Sequence, residues 1–207
     1  PVLDLLVGAP DTEVRVTVDQ RDGHPPVTLT LRSRTIQMPS VRGFTRDAAG
    51  QPVYLYDAAR GIGYVRISHM AEDTVPEVER ALADLTRRRM KGLVLDLRSS
   101  SGGLMRSAVG VADLLLDRGR ILRDVARRDT TNYEARPGVY VDVPMVVLID
   151  SLTASSSEFL AAALKDNHRA QFVGQRTFGK ARIQRKLGLD GGGGLIQYQS
   201  FIPAAEA

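Results

Sequence analysis

Leu93-Val94-Leu95-Asp96-Leu97 is an apolar run interrupted by one acid, and it empties into Arg98-Ser99-Ser100-Ser101-Gly102-Gly103. The run has the length and composition of a buried strand, and the small polar residues and glycines after it read as a loop. Beyond that loop, Ala108, Val111, Ala112 and Leu115 recur with the spacing of one helix face. Upstream, Gly63-Tyr64-Val65-Arg66-Ile67 reads as another strand. From Thr74, the apolar residues Val75, Val78, Leu82 and Leu85 have helical spacing, with Thr74 and Glu77 placed as a capping box. Downstream the pattern continues with Val143 to Ile149 as strand, Ser155 to Lys165 as helix and Gln171-Phe172-Val173 as strand. Such alternation implies an α/β fold with right-handed crossovers around a mostly parallel sheet.

The flanks read differently. In residues 1–36, Val2, Leu3, Leu5 and Leu6 form the apolar cluster of a helix end. Val14, Val16 and Val18 then alternate with polar residues, Arg21-Asp22-Gly23 makes a turn, and Val27, Leu29 and Leu31 repeat the alternation. One helix end and two strands cannot stand alone, so this segment reads as the tail of a small β-rich domain. Residues 37–62, with Pro39, Gly43, Gly50 and Pro52, read as a linker or irregular cap, and the core is expected over 63–207. Gly191 to Gly194 sits between two strand-like stretches with no helical pattern after it, which fits a hairpin turn rather than a phosphate cradle.

The 207 residues are 43% hydrophobic and 25% charged, the composition of an ordinary globular protein. The formal charge of +4 reads as solvated surface. Arg87-Arg88-Arg89 falls at an expected helix end, where cations are favoured, and no aromatic residues are interleaved as a stacking platform for nucleic acid. Cysteine is absent, which removes disulfides, thiolate catalysis and cysteine-ligated zinc together. His24, His69 and His168 have no ligand-spaced partners, so neither a metal site nor a cofactor is expected. No stretch approaches the roughly 20 apolar residues of a membrane-spanning helix, and no export signal is visible at the first residues.

Two stretches carry chemistry by their placement. Ser155-Ser156-Ser157-Glu158 follows an apolar strand and opens a helix, whose unpaired N–H groups would stabilise an oxyanion. Serine is equally a favoured helix cap, so the local residues leave nucleophile and cap both open. Thr177-Phe178-Gly179-Lys180 places a lysine beside an aromatic residue and a glycine. A lysine works as a general base only when neutral, which burial among apolar groups promotes, and an exposed one is merely a solvated charge. Both the serine run and the glycine loop follow strands, and ligands gather at the carboxyl ends of strands in open α/β folds.

The blocks Gly63 to Ile67, Gly92 to Arg98 with Gly102-Gly103-Leu104, Thr153 to Glu158 and Val173 to Lys180 together resemble the carboxyl-terminal processing proteases, also called tail-specific proteases. The resemblance spans Gly63 to the end of the chain, with the four blocks in family order. It implies a crotonase-like α/β core of ββα units and a serine endopeptidase acting near protein C-termini through an acyl-enzyme. It further implies Ser155 as nucleophile, Lys180 as its general base 25 positions later, and Gln184 orienting the lysine. Glu158 would be a supporting residue, and the oxyanion hole would combine the N–H of Ser156 with that of Gly102 or Gly103. Residues 1–36 are similar to the last helix and final strands of a PDZ domain. The family also implies protein or peptide substrates with exposed C-termini, an activating adaptor or self-association, and a periplasmic or envelope location. Where the family usually has Asn-Pro before the glycines this chain has Ser100-Ser101, and a loop without that proline is expected to be less rigid. The readings set against a protease are a catalytically silent binding module on the same core and an acyl-CoA enzyme of the wider crotonase group.

Overall fold

The structure is a computed structural model that describes residues 9–19, 23–34, 38–125, 130–138, 141–180, 182–189 and 193–202, with side chains as far as Lys180. The chain divides into two compact units, Pro1–Met38 and Pro39–Ala207. In the first, β1 (Glu13–Val18) pairs antiparallel with β2 (Val27–Arg32). Val14 faces Leu31, Val16 faces Leu29 and Val18 faces Val27, so the apolar residues of both strands share one side. The apolar cluster expected at Val2 to Leu6 and the residues Arg21 and Asp22 of the expected turn lie outside the described residues.

The second unit opens with four short strands, β3 (Val41–Arg42), β4 (Thr45–Arg46), β5 (Pro52–Val53) and β6 (Leu55–Asp57). Then come β7 (Ile62–Ile67), α1 (Thr74–Arg87), β8 (Gly92–Asp96), α2 (Met105–Leu115), β9 (Arg120–Val125) and β10 (Thr130–Glu134). The chain continues through β11 (Met145–Ile149), α3 (Ser156–Asp166), β12 (Gln171–Gly174), β13 (Arg182–Leu189) and β14 (Gly193–Ile202). The principal sheet has the order β12-β11-β8-β7-β3, with β6 also on β7. Neighbours from β12 to β7 run parallel, whereas β3 and β6 lie antiparallel to β7. A second sheet, β10-β9-β14-β13, is antiparallel throughout. The stretch expected as linker or cap thus adds strands to the core unit, and Val41 is buried there.

Alternation decides which side of the principal sheet is core. Val65, Ile67, Leu93, Leu95, Met145 and Val147 are buried with Val78, Leu82 and Leu85 of α1, Val111 and Leu115 of α2, and Leu160 and Leu164 of α3. Ile62, Tyr64, Arg66, Val94, Val146 and Phe172, one residue out of phase, are half-buried. Gly63 marks a close approach of the end of α1 and the residues after it to the sheet, because a Cβ there would stand 2.6 Å from the Met90 sulfur and 2.8 Å from a Leu85 methyl.

The expected capping box at Thr74 is not the one formed. Asp73 is the N-cap, and the Glu77 carboxylate instead accepts the N–H groups of Ser40 and Val41 at 2.9 and 3.0 Å. Val41 opens the edge strand β3 and Ser40 immediately precedes it, so the Glu77 carboxylate satisfies backbone donors at the start of that strand. A cavity of about 670 Å³ opens at the amino ends of the parallel strands, lined by Ile62, Gly92, Met145 and Gln171, the first residues of β7, β8, β11 and β12. Arg169 at its wall has its donors committed to the carbonyls of Leu115, Val143 and Val141.

Candidate active site

Three loops leave the carboxyl ends of adjacent strands and meet. Residues 97–104 follow β8, residues 150–155 follow β11 and residues 175–180 follow β12. The middle loop ends at Ser155, which holds φ 58° and ψ −126° immediately before α3. A non-glycine residue there is strained by about 1–3 kcal/mol, and such strain is sustained only where the surroundings over-determine it. The surroundings do so: Ser156, Ser157, Phe159 and Leu160 are all buried and anchor the first turn of the helix. This sharp strand-to-helix turn makes Ser155, which is half-buried, the N-cap of α3, and Glu158 closes a capping box with it.

Glu158 binds the turn to the third loop. Its Oε2 accepts the N–H of Ser155 at 2.8 Å and the N–H of Lys180 at 2.9 Å, while Oε1 accepts the N–H of Gly179 at 2.6 Å. One carboxylate therefore fixes the backbones of both Ser155 and Lys180. The same loop is held upstream by the N–H of Phe178 on the Thr153 carbonyl and that of Gln175 on the Ile149 carbonyl, at 3.0 and 3.1 Å. Phe178 is 65% exposed, so its ring does not provide the apolar cover for Lys180 that the sequence suggested.

The glycine loop closes the arrangement. Gly102 has φ 81°, and a Cβ on it would fall 2.6 Å from the Ala154 carbonyl oxygen and 2.8 Å from both Ser155 Cβ and Ser156 N. Only glycine permits that approach. Gly103 faces elsewhere: a Cβ on it would meet the Met70 carbonyl oxygen, and Met70 donates its N–H to the Gly102 carbonyl at 2.9 Å. Of the two glycines, Gly102 is the one against Ser155.

A family model described as Peptidase family S41 matches residues 61–201. The chain belongs to that peptidase family. It is 35% identical over 199 residues to the chloroplastic C-terminal processing peptidase of Tetradesmus obliquus, covering 94% of this chain and 43% of that protein. It is 33% identical over 189 residues to the carboxyl-terminal-processing protease of a Synechocystis species, covering 91% of this chain and 42% of that protein. Among solved structures, a photosystem II D1 C-terminal processing protease superposes with a TM-score of 0.68 at 30% identity, over 96% of this chain and 53% of that one. This S41 chain thus spans about half or less of the length of the relatives it matches. Among the described residues no helix is long and apolar enough to cross a membrane.

The S41 fold brings together Ser155, Ser156, Glu158, Lys180 and Gly102 of the residues singled out in the sequence. Gln184 lies on β13, four residues past Lys180, paired through its backbone with Tyr198, and its side chain is outside the described residues. His69 is near the loop by chain connection to Met70, with its Nδ1 3.0 Å from the Ser68 hydroxyl.

One cluster escaped the sequence reading. Asp96 is 0% exposed at the end of β8 and accepts the Tyr64 hydroxyl at 2.5 Å and the Arg98 guanidinium at 2.9 and 2.7 Å. Burial pushes the Asp96 carboxyl upward, but the hydrogen bonds from Arg98 and Tyr64 outweigh it and hold it below its ordinary value. Tyr64 is raised by burial and by its bond to Asp96, and Arg98 is held more firmly cationic by the same carboxylate. The signal was present: an acid inside an apolar strand run must be paired, and Arg98 two residues on was the available cation.

Proposed function

We propose that the chain is the catalytic part of a serine endopeptidase that processes proteins near their C-termini, with Ser155 as nucleophile and Lys180 as general base. The observation that carries this reading is the single Glu158 carboxylate oxygen shared by the N–H groups of a strained Ser155 and of Lys180, with Gly102 packed against Ser155. Lys180 Nζ in its neutral form takes the proton of Ser155 Oγ as that oxygen attacks the scissile carbonyl. The oxyanion that forms is met by the N–H of Ser156, an unpaired donor of the first helical turn, and by that of Gly102. Lys180 then gives the proton to the leaving amine, the peptide bond breaks, and water hydrolyses the acyl-enzyme by the same route in reverse. Gln184 orients the lysine and Glu158 positions both partners. The chemistry calls for no cofactor or metal.

The wider reading follows the same relatives. The core is of the crotonase-like kind, residues 1–36 are the end of a PDZ domain, substrates are proteins with exposed C-termini, an adaptor or self-association activates the enzyme, and it works outside the cytoplasm. The test is labelling and turnover. A fluorophosphonate should modify Ser155 in the parent chain and fail to do so in both Ser155→Ala and Lys180→Ala. Cleavage of an unfolded protein should vanish in the same two variants and fall in Gln184→Ala with little change in melting temperature. Cleavage undiminished in Ser155→Ala sinks the reading, and a chain that binds peptides yet neither cleaves nor labels is the silent module instead.

A further inference from the structure

The glycine loop and the Ser155 turn are tied together by side chains that the proposed mechanism does not use. Ser99 opens the glycine loop in a left-handed conformation, φ 57°. Its N–H donates to Asp150 Oδ1 at 2.9 Å, and its hydroxyl donates to Oδ2 at 3.2 Å. Asp150 is the first residue after β11, and the same Oδ1 accepts the N–H of Leu152 at 3.0 Å within the loop that leads to Ser155. The next residue, Ser100, is fully buried, and its hydroxyl lies 2.7 Å from the hydroxyl of Ser157, also fully buried, in the first turn of α3. The Ser100 carbonyl accepts the N–H of Ala154 at 2.9 Å.

Each loop would be costly to hold alone. Two consecutive glycines, Gly102 and Gly103, both at positive φ, have more conformational freedom to lose than any other pair of residues. No proline stiffens residues 98–104. An oxyanion hole is effective to the extent that its donors are already aimed when charge develops. The side chains of Asp150 and Ser157 supply that aim from outside the loop, one on Ser99 and one on Ser100, so the loop is fixed just upstream of Gly102.

We propose that Asp150 and Ser157 are positioning residues that preset the Ser99–Gly103 loop as one half of the oxyanion hole. This rests on the reading of Ser155 as nucleophile. Asp150 acts through Ser99 and Ser157 through Ser100, and neither touches substrate. The Asp150 carboxylate suits this role because it stays ionised. Burial raises it, but the N–H donors of Ser99 and Leu152 outweigh burial.

The experiment uses the whole chain and the variants Asp150→Ala, Asp150→Asn and Ser157→Ala, with Ser155→Ala as the zero. Active sites are counted by fluorophosphonate burst titration, kcat and KM are measured on one peptide, and Ki is measured for a peptide boronate. Asp150→Ala should lower kcat per titrated site by about 100-fold, the order of losing one oxyanion donor, with KM within about twofold. The boronate Ki should weaken by the same factor as kcat, because both report binding of the tetrahedral state. Asp150→Asn should recover most of the loss, since its amide oxygen still accepts the N–H groups of Ser99 and Leu152, and Ser157→Ala should cost about tenfold. A role in folding alone would reduce the number of titrated sites and leave kcat per site and Ki unchanged, which overturns the proposal. If Asp150→Ala fails to fold, Asp150→Asn and Ser157→Ala decide the matter by the ratio of Ki to KM: a ratio unchanged in both overturns it. Turnover that survives Ser155→Ala, or a parent chain that neither turns over nor labels, removes the underlying reading and this inference with it. A dead Ser155→Ala beside an unaltered Asp150→Ala removes this inference alone.

Discussion

Ser155 sits at φ 58° and ψ −126°, and the cost of about 1–3 kcal/mol has to be offset by its neighbours. Glu158 does much of this, because the carboxylate that accepts the Ser155 N–H also accepts those of Gly179 and Lys180. A strain kept for chemistry should be recoverable as stability when the chemistry is given up. Ser155→Gly is therefore expected to melt higher than Ser155→Ala, by about 1 kcal/mol, with both variants inactive. Equal melting curves would mean that the turn carries no strain. Asp96 gives the complementary case of a residue whose charge contributes to folding. Its folded carboxyl lies below the ordinary 3.8, so its contribution is present above that value and is lost as pH falls through the folded one. At neutral pH Asp96→Asn should be less stable by about 1–3 kcal/mol, the cost of leaving a buried bonding group short of a partner. The gap should narrow below about pH 4, where the parent chain takes up the proton that the variant never needs. A gap that is constant from pH 7 to 3, followed by chemical denaturation, counts against the pairing of Asp96 with Arg98 and Tyr64.

Two glycines separate packing of elements from the aim of a loop. At Gly63 an added Cβ meets the flexible ends of Met90 and Leu85, so α1 must shift slightly off β7. Gly63→Ala should cost about 1–3 kcal/mol of stability and leave kcat per active site unchanged. At Gly102 the obstacles are the backbone of Ala154 and Ser156 and the Cβ of Ser155, with φ at 81° besides. Gly102→Ala should lower kcat per site by about 100- to 1,000-fold with a small change in melting temperature. Interchanged outcomes would place the reactive turn elsewhere. The long elements were legible because their signals are local: the apolar run before Asp96 and the 3-4 spacing from Val75 to Leu85 are set by burial on one side. The strands β3 to β6, β9 and β10 were not, since two-residue pairings such as Val41 with Ile67 are decided by distant partners rather than by their own pattern. Glu77 shows the same limit. Its position relative to Thr74 fits a cap, yet its carboxylate is taken up by the N–H groups of Ser40 and Val41, more than thirty positions away in the sequence. Within the site, the placement of the serine run, the glycine loop and Lys180 was legible, but the pairing of Ser155 with Lys180 came only from the family resemblance, and the structure supplies what connects their backbones. The ties from Asp150 to Ser99 and from Ser157 to Ser100 could not be found that way, because residues about fifty positions apart meet only after the sheet has formed. Those same ties sit on the proline-free loop that the sequence led one to expect to be less rigid.

The two units differ in how much of their apolar surface they remove from water. Every buried hydrophobic residue among those described lies at Val41 or beyond, in the second unit. In the first, Val18, Val27, Leu29 and Leu31 remain between 41% and 50% exposed although their pairing lines them up on one side. Val14 and Val16 on the same side are only half-buried, and a two-stranded hairpin with no fully buried residue among those described is marginally stable on its own. The central strands β8 and β11 are opposite in every respect, each paired on both edges and packed against the helical core. Opening free energies within one chain should therefore differ widely. In native-state hydrogen exchange of the chain, the amides of β8 and β11 should be the slowest and should exchange only through global unfolding of the second unit. The amides of β1 and β2 should exchange at least about 100-fold faster through openings that urea affects little, because little surface is newly exposed when they open. Ser99 and Gly102 provide an internal check, since their loop is held by β8 on one side and by Asp150 and Ser157 on the other. Protection in that loop should drop in Asp150→Ala while β8 stays slow. If β1 and β2 prove as protected as β8, the hairpin has found a partner for its apolar side, and the two units fold as one.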